Sequence, residues 1–226
     1  PAGVAYSRTG ELYVSDVSLN RILVFDREGG YVRGIGEEGS GQSQLRGPFG
    51  LCFTADGNLV VADRWNHRVQ VFREDGTFVR AFGSRGSGEG QFNGPYSVSA
   101  GEDGGIAVTD KGNHRVQMFD REGRFVRSIG SKGGGPGQFM NPSNVAVGGG
   151  GEIIVSDLTR KDVQVFSREG ELLQIIGAGG DSDMDFRFRP LSFFADADGR
   201  LTVLLKLKQG NGDGETLGEV EVVTLT

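Results

Sequence analysis

The chain has 226 residues, a net charge of −6 and one cysteine, Cys52. That length carries a substantial core. The charge excludes attraction of the whole molecule to nucleic acid or anionic membrane, and a lone thiol excludes an internal disulfide, which fits a reducing, cytoplasmic setting. No apolar run nears the ~18 residues of a membrane helix, and no basic-then-apolar leader is visible.

The chain repeats itself. Asp16, Asp63, Asp110 and Asp157 stand 47 residues apart, each opening a similar ten-residue stretch. Five units begin at Pro1, Pro48, Pro95, Pro142 and Pro190, in one domain over 1–226 (units 1–47, 48–94, 95–141, 142–189 and 190–226). The first unit opens inside the repeat phase, so the chain reads as a domain cut from something longer. Each of the first four units carries four short apolar stretches; in unit two these are Leu51–Thr54, Leu59–Ala62, Val69–Phe72 and Phe78–Phe82. They are too short for helices and are rich in Val, Leu and Phe. A glycine column (Gly10, Gly57, Gly104, Gly151, Gly199) separates the first two stretches, with Asp56–Gly57 and Asp198–Gly199 as tight-turn signals. Charged turns such as Arg121-Glu122-Gly123 separate the last two, and a glycine-rich link, Gly83–Gly94 in unit two, leads onward.

Unit five keeps Leu191–Ala195, Leu201–Leu207 and Glu219–Thr226, with an insertion over Gln209–Gly218, and so has three strands. Repeated four-stranded meanders at this period predict an all-β fold, a β-propeller of antiparallel blades. Five blades with an incomplete last one are expected; a truncated six-bladed ring is the alternative.

The repeat resembles the NHL repeat, named for Asn-His-Leu. Asn66-His67 and Asn113-His114 carry its first two letters, with Arg68 and Arg115 in place of the Leu. Pro48, Asp56-Gly57, Val61–Asp63 and the Gly-Gln-Phe of Gly90–Phe92 and Gly137–Phe139 match the surrounding pattern. The resemblance extends to the C-terminal domains of tripartite-motif E3 ubiquitin ligases. It implies a recognition or scaffold domain that recruits substrates for a ligase, in innate antiviral defence, and is not itself an enzyme. The family also holds a zinc-dependent amidating lyase, whose histidine-rich site has no match in a chain with two histidines.

Residue by residue, the Asp63/Arg68 and Asp110/Arg115 columns read as ion pairs that fix a turn, because they recur. Unit four has Asp157 and Asp162 there, so it needs another arrangement. The glycine links lack a Gly-Lys-Ser/Thr and open no helix, which argues against a phosphate cradle. Asp181, Asp183 and Asp185 lack the glycine and terminal Glu of a calcium loop. No cofactor, metal or catalytic set is expected.

The remaining candidate is one basic end of the ring: Arg64, Trp65, Asn66, His67, Arg68, Arg85, Lys111, Asn113, His114, Arg115 and Lys132. Trp65 is the chain's one tryptophan. Cations around an exposed ring suit an acidic protein partner, with single-stranded or hairpin RNA as the alternative. No membrane contact is expected, and any oligomerisation is expected through parts outside this chain. Catalysis in the central channel is the third reading.

Overall fold

The computed structural model describes residues 1–177 with their side chains and the backbone of 189–195, 200–207 and 216–224. The acidic run Asp181–Asp185, the Asp198–Gly199 turn and most of the insertion that begins at Gln209 lie outside the described residues.

Four four-stranded antiparallel sheets and one three-stranded sheet follow in chain order. Blade one is Gly3–Tyr6, Leu12–Asp16, Arg21–Phe25 and Tyr31–Ile35. Blade two is Pro48–Phe53, Leu59–Asp63, Arg68–Phe72 and Phe78–Phe82. Blade three is Pro95–Ala100, Ile106–Asp110, Arg115–Phe119 and Phe125–Ile129. Blade four is Pro142–Val147, Ile153–Asp157, Asp162–Phe166 and Leu172–Gly177. The fifth sheet is Arg189–Ala195, Arg200–Leu207 and Thr216–Thr224. The first strands of successive blades pack side by side and line the axis, as a propeller requires. No helix among the described residues is long and apolar enough to cross a membrane.

The strands form because each unit alternates branched or aromatic residues with turn glycines. Gly10, Gly57, Gly104 and Gly151 take φ of 85°, 84°, 84° and 89°, a conformation that costs glycine little. Burial follows from stacking. In blades two, three and four the second strand is buried at every residue, because both faces meet other blades. Three core clusters fill the gaps between blades one to four. Cys52 packs on the second, and burial pushes its thiol up to about 12, so it is a structural residue of low reactivity.

The links are more ordered than a glycine-rich sequence suggests. Glu37–Glu38 pairs with Gln44–Leu45, and Ser84–Arg85 with Gln91–Phe92, as short parallel ladders. The Gly-Gln-Phe motif now has a physical account. The Gln91 side chain accepts the Gly88 N–H at 3.0 Å. Phe92 is fully buried between blades two and three, 5.5 Å from Phe119.

Candidate functional site

At one end of blades two, three and four, the turn between strands two and three meets the link from the preceding blade. The Trp65 N–H donates to Arg46 O at 3.0 Å, Gly112 N–H to Asn93 O at 2.9 Å and Leu158 N–H to Asn141 O at 3.1 Å. In blades two and three this turn is a short 3-10 turn, Arg64–Asn66 and Lys111–Asn113.

Most of the predicted basic end is occupied in holding that junction. The buried Asp63 carboxylate accepts from Arg46 N–H at 2.7 Å, Asn66 Nδ2 at 2.9 Å, Arg68 Nε at 2.8 Å and Gln70 Nε2 at 3.1 Å. Arg68 also donates to the carbonyls of Gly41 and Gln44, both at 2.7 Å. Asp110, Asn113 and Arg115 repeat the network one blade on, with Arg115 reaching Gly88 O and Gln91 O.

Blade four inverts the sequence order. Asp162 stands in the arginine column, and Arg160 pairs with it at 2.7 Å while reaching Gly134 O and Gly135 O. The guanidinium therefore bridges turn to link from a different residue. Asp157 instead accepts four backbone N–H groups, from Met140, Asn141, Thr159 and Arg160. In blade one Asp16 accepts from the N–H groups of its own turn, Ser18 and Leu19, at 2.9 Å each.

The histidines belong to the same junction. His67 and His114 take φ of 54° and 56°, and Asn20 and Lys161 occupy the same column at 53° and 58°. Asn and His are among the non-glycine residues that tolerate this left-handed region. His67 Nδ1 accepts the Gly94 N–H at 3.1 Å, as Asn20 Oδ1 accepts that of Gly47 at 2.8 Å. His114 Nδ1 lies 2.9 Å from Met140 O and so must donate. The two rings sit in equivalent places, with Nδ1 an acceptor in His67 and a donor in His114. Among the described residues, no three His, Cys, Asp or Glu side chains group to hold a metal.

Arg64 and Lys111 are different. They share a column with Val17 and Leu158, so only blades two and three carry a cation there. The register sets Pro48 opposite Asp63 and Pro95 opposite Asp110, which puts Phe49 and Tyr96 at the same end, beside the axis. Gly50 has no room for a side chain: a Cβ there would lie 2.7 Å from Ser97 Cα. The inner strands approach closely, and the Phe49 and Tyr96 rings stack with centroids 3.9 Å apart.

Both cations rest on this pair. Lys111 Nζ stands 3.9 Å from the Tyr96 centroid, and the Arg64 guanidinium 5.3 Å from Tyr96 and 5.6 Å from Phe49. Neither has an ion-pair partner among the described residues, where the carboxylates of Asp63, Asp110 and Asp157 serve the junctions. Burial, then the Arg64 charge, hold the Lys111 ammonium below its ordinary range, against a smaller opposing pull from Asp157. Burial likewise pushes the Tyr96 phenol up. Two adjacent cations on an aromatic floor attract carboxylate or phosphate oxygens.

Trp65 follows Arg64 in the same turn. Its indole is 51% exposed and lies over the link at Gly47, where a Cβ would stand 2.7 Å from the ring. Arg85 and Lys132 are exposed on the links, and no contact joins them to Arg64 or Lys111. Sequence reasoning missed Phe49 and Tyr96. The signal was their column, which reads Ala2, Phe49, Tyr96 and Ser143: rings stand only where the next strands supply Arg64 and Lys111.

Residues 45–72 match the NHL repeat model, and residues 97–171 match a model described as a 6-bladed beta-propeller. No curated protein matches the chain in sequence. Among solved structures, a streptogramin B lyase aligns over 100% of this chain and 68% of its own, with a TM-score of 0.68 at 14% identity. A catalytically inactive virginiamycin B lyase from Staphylococcus aureus with quinupristin aligns over 88% of this chain and 61% of its own, with a TM-score of 0.66 at 16% identity. A protein of unknown function from Bacteroides caccae aligns over 90% and 70%, with a TM-score of 0.68 at 16% identity. The chain thus spans between 61% and 70% of the length of these three.

These likenesses correct one expectation. A domain without enzymatic activity does not follow from this architecture, because lyases share it, and at such identity the fold leaves the chemistry of this chain open. The two lyases are not tripartite-motif ligases. The architecture is a β-propeller, and residues 45–72 are an NHL repeat in it.

Proposed function

We propose that the chain is a recognition domain that binds an acidic segment of a protein partner at the axial end of blades two and three. One observation carries this reading: Arg64 and Lys111 stand together on the Phe49–Tyr96 stack without a carboxylate of their own. Like charges held side by side repel, and an incoming carboxylate relieves that repulsion. Trp65, half exposed at the edge, supplies the apolar anchor of the same surface. The net charge of −6 favours a protein partner over RNA. Service as the substrate-recruiting part of a cytoplasmic tripartite-motif ligase in antiviral defence rests on the repeat resemblance alone.

The test is fluorescence anisotropy with a labelled Asp/Glu-rich peptide pool and, separately, single-stranded RNA. The Arg64→Met/Lys111→Met double variant should weaken peptide binding at least roughly tenfold, and Trp65→Ala should cost about 2 kcal/mol. Unchanged peptide affinity in both variants, with the fold intact, refutes the site. RNA binding that falls about a thousandfold from low to moderate salt, with no peptide binding, replaces the protein partner by RNA.

A further inference from the structure

Each of the first three blades carries an arginine on its outer strand: Arg33, Arg80 and Arg127. Each guanidinium crosses to the next blade and donates to a carbonyl 41 residues on, that of Glu74, Arg121 or Arg168. These contacts lie at the end of the blades opposite Arg64 and Lys111, where strands one and two, and three and four, are joined.

Between blades one and two the guanidinium holds a carboxylate and a phenol. Arg33 Nη1 and Nη2 each donate to a Glu11 carboxylate oxygen at 3.0 Å. The Tyr13 hydroxyl accepts from Nη2 at 2.7 Å and donates to Glu74 O at 2.9 Å. The Tyr13 ring fills the gap behind, edge on to Phe53 at 4.9 Å. The hydrogen bonds from Arg33 hold the Glu11 carboxyl below its ordinary range, so the corner favours an ionised carboxylate.

Between blades three and four the same columns read Gly105 for Glu11, Ala107 for Tyr13 and Val147 for Phe53. The facing turn, 148–151, is four glycines. Where those side chains are lost, a cavity of about 710 Å³ lies against Gly105, Met118, Val126, Arg127, Val147 and the 148–151 turn. A cavity of that size holds a small organic molecule. Arg127, partly exposed, keeps Arg168 O at 2.6 Å and has no ion-pair partner among the described residues. Arg121, on the same lining, has none either. The acids there are engaged elsewhere, Asp120 and Glu122 with Arg124 and Asp103 with Arg168, while Glu102 is exposed. The gap between blades two and three is not equivalent. Asn58 and Val60 stand in the two columns, and the Asp56 carboxylate already acts on Arg80.

We propose that the cavity between blades three and four binds a small aromatic carboxylate. Its carboxylate sits on Arg127 as Glu11 sits on Arg33, and its ring takes the space that Tyr13 fills between blades one and two. A planar guanidinium matches a carboxylate with two parallel hydrogen bonds, and Met118, Val126 and Val147 give the ring apolar walls. This site is separate from Arg64 and Lys111 and stands or falls without them.

The test titrates residues 1–226 with 1-naphthoate, read by amide chemical shifts and by calorimetry, with acetate and inorganic phosphate as probes of charge alone. Naphthoate should shift the amides of Gly105, Met118 and the 148–151 turn. Acetate and phosphate should bind at least roughly tenfold more weakly, for want of a ring to bury. Arg127→Met should weaken naphthoate at least roughly tenfold with the rest of the amide spectrum retained. Gly105→Glu/Ala107→Tyr restores the Glu11 and Tyr13 pair, so it should abolish binding and raise the melting temperature. A Cβ at Gly105 first meets the exposed Asp103 side chain, at 3.1 Å. Equal naphthoate affinity in the parent chain and Arg127→Met overturns the proposal. So does the absence of naphthoate shifts, or their confinement to the Arg64 and Lys111 end. Acetate or phosphate binding as tightly as naphthoate overturns it too, because the ring then adds nothing. If Gly105→Glu/Ala107→Tyr fails to fold, Arg127→Met decides alone.

Discussion

Replacing Asp63 by Ala removes one carboxylate and takes an acceptor from four donors. Arg46 N–H, Asn66 Nδ2, Arg68 Nε and Gln70 Nε2 lose an acceptor at 2.7, 2.9, 2.8 and 3.1 Å. The Arg68 guanidinium, only 16% exposed, keeps the Gly41 and Gln44 carbonyls but no counter-charge. Breaking a buried pair from one side costs about 3–5 kcal/mol. Against a total stability of about 5–15 kcal/mol, that is about a fifth or more. The assay is urea unfolding followed by Trp65 fluorescence and by circular dichroism. The double variant Asp63→Ala/Arg68→Met also removes the orphaned charge, so it should lose less than the sum of the two single variants. Arg160→Met in blade four should lose a similar amount, because Arg160 performs the bridging role there against Asp162. A loss below about 1 kcal/mol for Asp63→Ala, or simple additivity in the double variant, refutes the view that these carboxylates pin link to turn.

Two further outcomes follow from the same junction. Lys111 is held below its ordinary pKa by burial and by Arg64, and only its protonated form attracts an anion. Acidic-peptide affinity should therefore fall as pH rises through the alkaline range, earlier than in Lys111→Arg, whose guanidinium keeps its charge. Superimposable anisotropy profiles for the two proteins would exclude Lys111 from binding. Gly47 sits at φ 59° under the Trp65 ring. Gly47→Ala should cost about 1–2 kcal/mol for the left-handed backbone alone and should shift Trp65 emission as the ring is displaced; unaltered emission would mean that the indole is not seated on the link.

The fold was legible because its signals are local and repeated. A glycine after a strand end, a proline before the next and a run of branched residues each act within a few positions, and recurrence confirms them. The junctions were legible only in part. Asp63 and Arg68 are five residues apart and could be paired by eye. Arg68 with Gly41 O, Asn66 with Gly39 O and His67 with Gly94 N–H are each 27 residues apart, the partner lying in a glycine-rich link beyond two strands. Nothing in composition says where such a link passes. As a result Asn66, His67, Arg68, Asn113, His114 and Arg115 looked like a free basic surface, whereas their polar atoms face the link. Phe49 and Tyr96 were hidden for the opposite reason. Each reads as one more apolar residue in a strand, and only the column beside them marks them as a floor for charge.

Columns that hold the link change only together with their partners. Where Asp replaces Arg at 162, Arg160 appears two residues earlier and the guanidinium still reaches the link carbonyls. The column of Val17, Arg64, Lys111 and Leu158 obeys no such constraint. It passes from apolar to cationic and back, and neither cation has an ion-pair partner among the described residues. The Arg64 charge disfavours the Lys111 ammonium, while the pull of Asp157 and the cation–π contacts with Tyr96 act the other way. The junction residues make the propeller; Arg64 and Lys111, with Trp65 beside them, are where this propeller differs from its own repeat.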